Sequence, residues 1–175
     1  THYLDAQTFT AMDVKVNPTR IGKLIRAFHE TMPNYVSGPG YMFWPFHVVR
    51  DYVLTLRAQG SPHVARCEVF LRHSCAHETA QQPLPIIFGH HDLLPANFLD
   101  DGEKIWLIDF EYAGFGTAMF DLAGTSSNSQ MNADQQQLLL TAYFGSAPDA
   151  ALMQSFAAME CASLMRETLW AMVSS

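Results

Sequence analysis

The segment His90-His91-Asp92-Leu93-Leu94-Pro95-Ala96-Asn97 and the later run Trp106-Leu107-Ile108-Asp109-Phe110-Glu111 combine a His-x-Asp, an Asn and a second Asp. Transfer of a phosphoryl group needs a base beside the acceptor hydroxyl. It also needs Mg²⁺ held by oxygen ligands from two separate segments, so that the ion can bridge the nucleotide phosphates. Asp92 suits the base, and Asn97 and Asp109 suit the metal, because amide and carboxylate oxygens are hard donors. Taken singly, each residue has a plainer reading as a turn cap, a loop residue or a strand end. Their combination, with Pro95 stiffening the loop and Asp121-Leu122-Ala123 downstream, carries the catalytic reading.

The elements around these residues must bring them together. Ile86-Ile87-Phe88 reads as a buried strand and Trp106-Leu107-Ile108 as another. Asp100-Asp101-Gly102 reads as a turn between Phe98-Leu99 and Lys104-Ile105. A loop followed by a hairpin results, with Asp92 and Asn97 on the loop and Asp109 just past the second strand, so that three oxygen donors converge on one cavity. Elsewhere the periodicity is helical. Asn17-Pro18 opens a helix whose Ile21, Leu24, Ile25 and Phe28 form an apolar face, and which ends near Met32-Pro33. Val48, Val49, Tyr52, Val53 and Leu56 mark a second helix, and Val64, Cys67 and Leu71 a third, running from Pro62 toward Thr79. Asp134 to Phe144 and Asp149 to Val173 carry two more, and Ser37-Gly38-Pro39-Gly40 is a loop. The expected class is α+β, mostly α-helical, with a short β-hairpin at the active site.

The stretch from Gly89 to Ala123, above all Ile108-Asp109-Phe110-Glu111-Tyr112-Ala113-Gly114 and Phe120-Asp121-Leu122-Ala123, resembles the choline/ethanolamine kinase family within the aminoglycoside-phosphotransferase and protein-kinase-like superfamily. The resemblance implies a protein-kinase-like C-terminal lobe. It makes Asp92 the catalytic residue, Asn97 and Asp109 the Mg²⁺ ligands, His90 a structural residue of the catalytic loop and Asp121 a brace for that loop. It places Leu99 and Ile108 as the apolar floor beneath the adenine of ATP, lets Glu111 assist the metal, and leaves His91 as a loop residue. Residues near His2 to Leu4 resemble the strand linking the two lobes, at the adenine edge. A glycine-rich phosphate loop, a strand Lys and a helix Glu are not found. Residues 1–175 are therefore expected to be a C-terminal lobe without its N-terminal nucleotide lobe, and inactive toward ATP when isolated.

At 175 residues with 49% hydrophobic and 15% charged content, one domain can bury roughly 70% of the surface its unfolded chain exposes. With 10 basic against 17 acidic residues, the formal charge of −7 argues against nucleic acid as a partner, because phosphate backbones demand clustered Lys and Arg. It suits a cationic substrate. No apolar run reaches the ~20 residues of a membrane span, and no signal sequence opens the chain. Cys67, Cys75 and Cys161 lack metal-type spacing, and are expected to be reduced, mostly buried thiols of a cytoplasmic protein rather than a disulfide pair.

Tyr112, Phe115 and Trp170 are candidates to hold a substrate cation on their ring faces. The alternative for each is core packing. Trp170 matches a C-terminal-helix Trp of the family's choline pocket, whereas the family aromatic one turn earlier is Glu167 here. That departure favours a primary amine, as in ethanolamine, over quaternary choline. Two alternatives stay open: a kinase of aminoglycosides or other small alcohols, and a non-catalytic pseudokinase module.

Overall fold

The computed structural model describes residues 5–174, so the expected lobe-linking strand at His2–Leu4 lies outside the described residues. Helices α1 (Ala11–Val16), α2 (Pro18–Thr31), α3 (Pro45–Ala58) and α4 (Val64–Thr79) precede the strands, and α5 (Ala118–Ser129), α6 (Ala133–Phe144) and α7 (Ala150–Val173) follow them. Strands β1 (Gln7–Thr8), β3 (Phe98–Asp100) and β4 (Ile105–Leu107) form one antiparallel sheet in the order β1-β3-β4. Strands β2 (Ile86–Gly89) and β5 (Gly114–Thr117) form a second antiparallel pair. None of the helices among the described residues is long and apolar enough to cross a membrane.

Local chemistry explains the helix starts. Pro18 sits in the first turn of α2 and lacks the N–H that would be orphaned there. Asn132 and Gln135 form a reciprocal capping box on α6, and the Asp149 carboxylate accepts the Leu152 N–H at 2.8 Å to cap α7. On α2, Ile21, Ile25 and His29 recur at helical spacing and are buried. They face a main core that also holds Phe43, Phe46, Phe98, Leu122, Leu139 and Phe156. A smaller cluster of Val49, Val53, Leu56, Cys67 and Leu169 joins α3, α4 and α7.

The five predicted helices and the hairpin are found, the latter turning through Gly102 at φ 92°. Four elements escaped the sequence reading. Helix α5 is buried on nearly every side, its apolar Met119, Phe120 and Leu122 followed by small Ala, Gly, Ser and Thr residues, so it shows no polar face to set a helical period. In β5, Gly114 and Gly116 look like turn residues. They are glycine because residues 41–43 lie against the strand, where a Cβ would meet the Tyr41 or Phe43 carbonyl oxygen at 2.7 Å. The short β1 and α1 carry too few residues to establish a period. Two burial expectations need correction: Ile86 of β2 is 66% exposed, and Trp106 of β4 lies at the surface, its Nε1–H donating to Asp101 and the Lys104 ammonium over its ring. The three thiols are free as expected, but only Cys67 is buried; Cys75 is exposed.

Helices α2 and α6 approach so closely at Gly22 that a Cβ there would lie 2.5 Å from the Leu139 carbonyl oxygen. Alanine ordinarily favours a helix interior by about 0.5–1 kcal/mol over glycine. A backbone carbonyl cannot rotate aside, so the cost of overpacking, about 1–3 kcal/mol, wins. Gly22→Ala should therefore lower the thermal unfolding midpoint, and a midpoint at or above that of the parent chain would contradict this packing.

Candidate active site

The segment that opens with His90 and His91 is tied down by a carboxylate far along the chain. Asp121, in the first turn of α5 and 1% exposed, accepts the backbone N–H of His90 at 2.8 Å and that of His91 at 2.7 Å. His29 Nε2 of α2 lies 2.8 Å from the same carboxylate, and its Nδ1 lies 2.8 Å from the Tyr143 hydroxyl of α6. A carboxylate only accepts, so Nε2 carries a proton, and Nδ1 is placed to accept the phenol's O–H. Burial alone would push the Asp121 pKa up. The His29 hydrogen bond, the electrostatic influence of the neighbouring His91 and His29 rings and the backbone donors outweigh it and hold the carboxyl well below its usual range. Burial also pushes the Tyr143 phenol up and the His91 imidazole down.

His90 joins the two polar segments. Its Nε2 lies 2.8 Å from the Ile108 carbonyl oxygen, which must accept, so Nδ1 is left to take the Asp92 backbone N–H at 3.3 Å. Asn97, 6% exposed, donates its side-chain N–H to the Asp92 carbonyl at 2.8 Å, while its own carbonyl accepts the Ile108 N–H at 3.1 Å. The Asn97 and Asp109 segments are thereby held side by side. Asp109 is exposed, has φ 66° and makes no side-chain hydrogen bond among the described residues. No three His, Cys, Asp or Glu side chains cluster as a ready metal cage among the described residues. The donors present nevertheless fit Mg²⁺, which uses one or two protein oxygens and takes the rest from phosphate and water: the Asp109 carboxylate is uncommitted, and the Asn97 amide is anchored through nitrogen, sparing its oxygen.

Asp92 opens onto a cavity of about 230 Å³ lined by Leu94, Glu111, Tyr112, Arg166, Glu167 and Trp170 as well. The structure therefore brings Asp92 together with Tyr112, Glu167 and Trp170, and adds Glu111. Three carboxylates face one guanidinium there. Leu99, half-buried on β3, and Ile108, 40% exposed beyond β4, lie apart from this cavity on the hairpin side. Phe115 does not line it either: its ring stands edge-on to Phe88 across the β2–β5 pair. Arg166 was missed by the sequence reading. It is the lone basic residue of the 24-residue α7 and lies on that helix's buried face, a signal that was available. The His29–Tyr143 extension of the Asp121 network was also missed, since no local pattern links residues that are 114 positions apart.

Comparison with known proteins identifies the family and the fold. A model of the phosphotransferase enzyme family matches residues 2–158. A 40-residue stretch is 48% identical to a probable ethanolamine kinase of Arabidopsis thaliana, covering 22% of this chain and 11% of that protein. The crystal structure of a choline/ethanolamine kinase family protein from Mesorhizobium loti superimposes with a TM-score of 0.80 at 27% identity, over 99% of this chain and 60% of that one. A crystal structure of LicA in complex with AMP shares the fold, with a TM-score of 0.75 at 19% identity over 99% of this chain and 59% of that one. The chain thus spans about three fifths of the length of these solved relatives. The family resemblance and the mostly helical, kinase-like fold class read from the sequence are borne out.

Replacing the Asp121 carboxylate by an amide turns one acceptor oxygen toward its donors into an N–H. Asp121→Asn should destabilise the fold at pH 7 by about 3–5 kcal/mol, the cost of breaking a buried charged network. A depressed folded pKa gives stability that is complete above the unfolded value near 3.9 and is lost as pH falls through the folded one. Denaturant midpoints at pH 7 and pH 3 should show the variant lacking this acid-dependent loss; equal midpoints for both proteins at pH 7 would refute the brace.

Proposed function

The chain belongs to the phosphotransferase enzyme family, and on that footing we propose that it serves a kinase transferring the γ-phosphoryl group of ATP to the hydroxyl of a small amino alcohol of the choline/ethanolamine class. One observation carries the reading: a single cavity presents Asp92 beside two aromatic rings and an excess of carboxylates over guanidinium. An ammonium head is stabilised by the Tyr112 and Trp170 ring faces and by the acidic lining, which leaves its hydroxyl free to approach Asp92. Similarity to a probable ethanolamine kinase and to a choline/ethanolamine kinase family protein supports the substrate class, and the AMP complex of LicA supports an adenine nucleotide. Residues 1–175 correspond in this reading to the C-terminal lobe, and the three free thiols suit a reducing cytoplasm.

Asp92 accepts the hydroxyl proton as the substrate oxygen bonds to the γ-phosphorus and the bond to the ADP oxygen breaks. The Asn97 oxygen and the Asp109 carboxylate would hold Mg²⁺, which when bound there neutralises phosphate charge. His90 keeps these roles in register, since it holds the Asp92 backbone N–H and the carbonyl preceding Asp109 at once. Leu99 and Ile108 supply apolar surface for adenine; the exposure of Ile108 beside the Asn97 segment supports that placement.

ATP-dependent phosphorylation of choline and of ethanolamine by the full-length natural protein tests this. Asp92→Asn should lower kcat by about 10²–10⁴-fold with the ATP KM unchanged, the range lost with a general base. Turnover near that of the parent protein would refute the assignment of Asp92. Asp109→Ala should instead raise the Mg²⁺ concentration needed for half-maximal rate, and an unshifted requirement would remove Asp109 from the metal site.

A further inference from the structure

We infer that Arg166 is a positioning residue for Asp92, and that Glu167 acts through Arg166 rather than on the substrate directly. The inference rests on Asp92 being the base. Arg166 Nη1 lies 3.2 Å from Asp92 Oδ1 and 2.5 Å from Glu167 Oε1. Among the described residues, Arg166 is the sole side-chain partner of the Asp92 carboxylate. Its guanidinium carbon stands 4.8 Å from the Tyr112 ring centroid and 6.0 Å from that of Phe43. With 4% exposure it has almost no water, and its Nε is buried without a partner.

A guanidinium in such a place is a poor structural choice. An apolar side chain of similar volume commonly stabilises a fold as well as a buried ion pair does, or better, and the orphaned Nε–H adds a cost of its own. What the arginine provides, and a methionine cannot, is a donor fixed at one oxygen of Asp92. With Oδ1 engaged, the carboxylate is held in one orientation and Oδ2 is left for the acceptor proton. The two ring contacts clamp the guanidinium plane, and Glu167 anchors the same nitrogen from the far side. Arg166 spans 74 positions to reach the loop, so it also sets the distance between α7, which carries Trp170, and the reacting centre.

Glu167 consequently changes meaning. Its Oε1 is committed to Arg166, and its side chain is only 36% exposed. It tunes the orientation of Asp92 through the arginine, so its replacement should alter kcat for choline and ethanolamine alike, not their ratio.

Steady-state kinetics on the full-length natural protein test the relay. Arg166→Met should reduce kcat by about 10–100-fold with the ATP KM unchanged, the scale of a small misplacement of a reacting group. Arg166→Lys, which keeps the charge, should recover part of that loss. Glu167→Gln should lower kcat severalfold in the parent background and have no further effect when combined with Arg166→Met. Thermal melts identify folded variants, and Arg166→Lys supplies the test should Arg166→Met not fold. Parent-level kcat in a folded Arg166→Met or Arg166→Lys protein, or multiplicative effects in the double variant, would overturn the inference. Asp92→Asn distinguishes the two levels: parent-level turnover in that variant removes the base itself, whereas loss of turnover there with silent Arg166 variants removes only the positioning role.

Discussion

A single ionised carboxylate buried at the centre of the helical body, Asp121, is the constraint on which the rest of the site depends. Removing a carboxylate from water costs several kcal/mol even after the protein relaxes, and that cost is tolerable only if its lone pairs meet donors. Here they meet the N–H groups of His90 and His91 and the imidazole of His29. The three donors come from two places, the loop after β2 and α2, while the acceptor comes from α5. Satisfying one charge therefore fixes three segments against one another, and Tyr143 extends the connection to α6.

From that anchor the polar groups propagate outward through backbone atoms. His90 donates to the Ile108 carbonyl and accepts the Asp92 N–H, so the positions of Asp92 and Asp109 are not independent. Asn97 repeats the device by holding the Asp92 carbonyl with its side chain and the Ile108 N–H with its main chain. Groups on loops lack the rigidity of regular strands and helices, and such double attachment supplies a supporting shell of hydrogen bonds in its place. The long α7 closes the arrangement from the opposite side, delivering Arg166, Glu167 and Trp170 from one rigid element.

The parts legible in the sequence were those written in short stretches. Asp92, Asn97 and Asp109 stand within 18 positions, and the turn at Gly102 explains how the Asn97 and Ile108 segments come to lie side by side. Amphipathic α2 and α3 announce themselves through a repeated apolar face. Helix α5 does not, because an element buried on every side loses the contrast that reveals a period, although it carries the very residue that braces the loop. The Arg166–Asp92 pair and the Asp121–His29–Tyr143 chain were hidden for a different reason. Each link joins residues at least 74 positions apart, a separation at which no local spacing rule operates.

Backbone strain points to the same place by a separate route. Three non-glycine residues among those described adopt positive φ, and one of them, Gln130, merely ends α5. The other two are His91 at 62° and Asp109 at 66°, on either side of the candidate site. A left-handed residue with a Cβ costs roughly 1–2 kcal/mol. Aspartate tolerates the conformation, but a histidine, whose ring must fit against Phe43 at 4.4 Å between centroids, gains nothing locally from it. The left-handed turn at His91 lets two successive N–H groups reach the same carboxylate while the next residue, Asp92, faces the cavity. The space for that turn is supplied by Gly89 and Gly116, where a Cβ would lie 2.5 and 2.8 Å from the His91 ring. The strain at His91 is thus offset by the bonds to Asp121, and the orientation of Asp92 is what those bonds maintain.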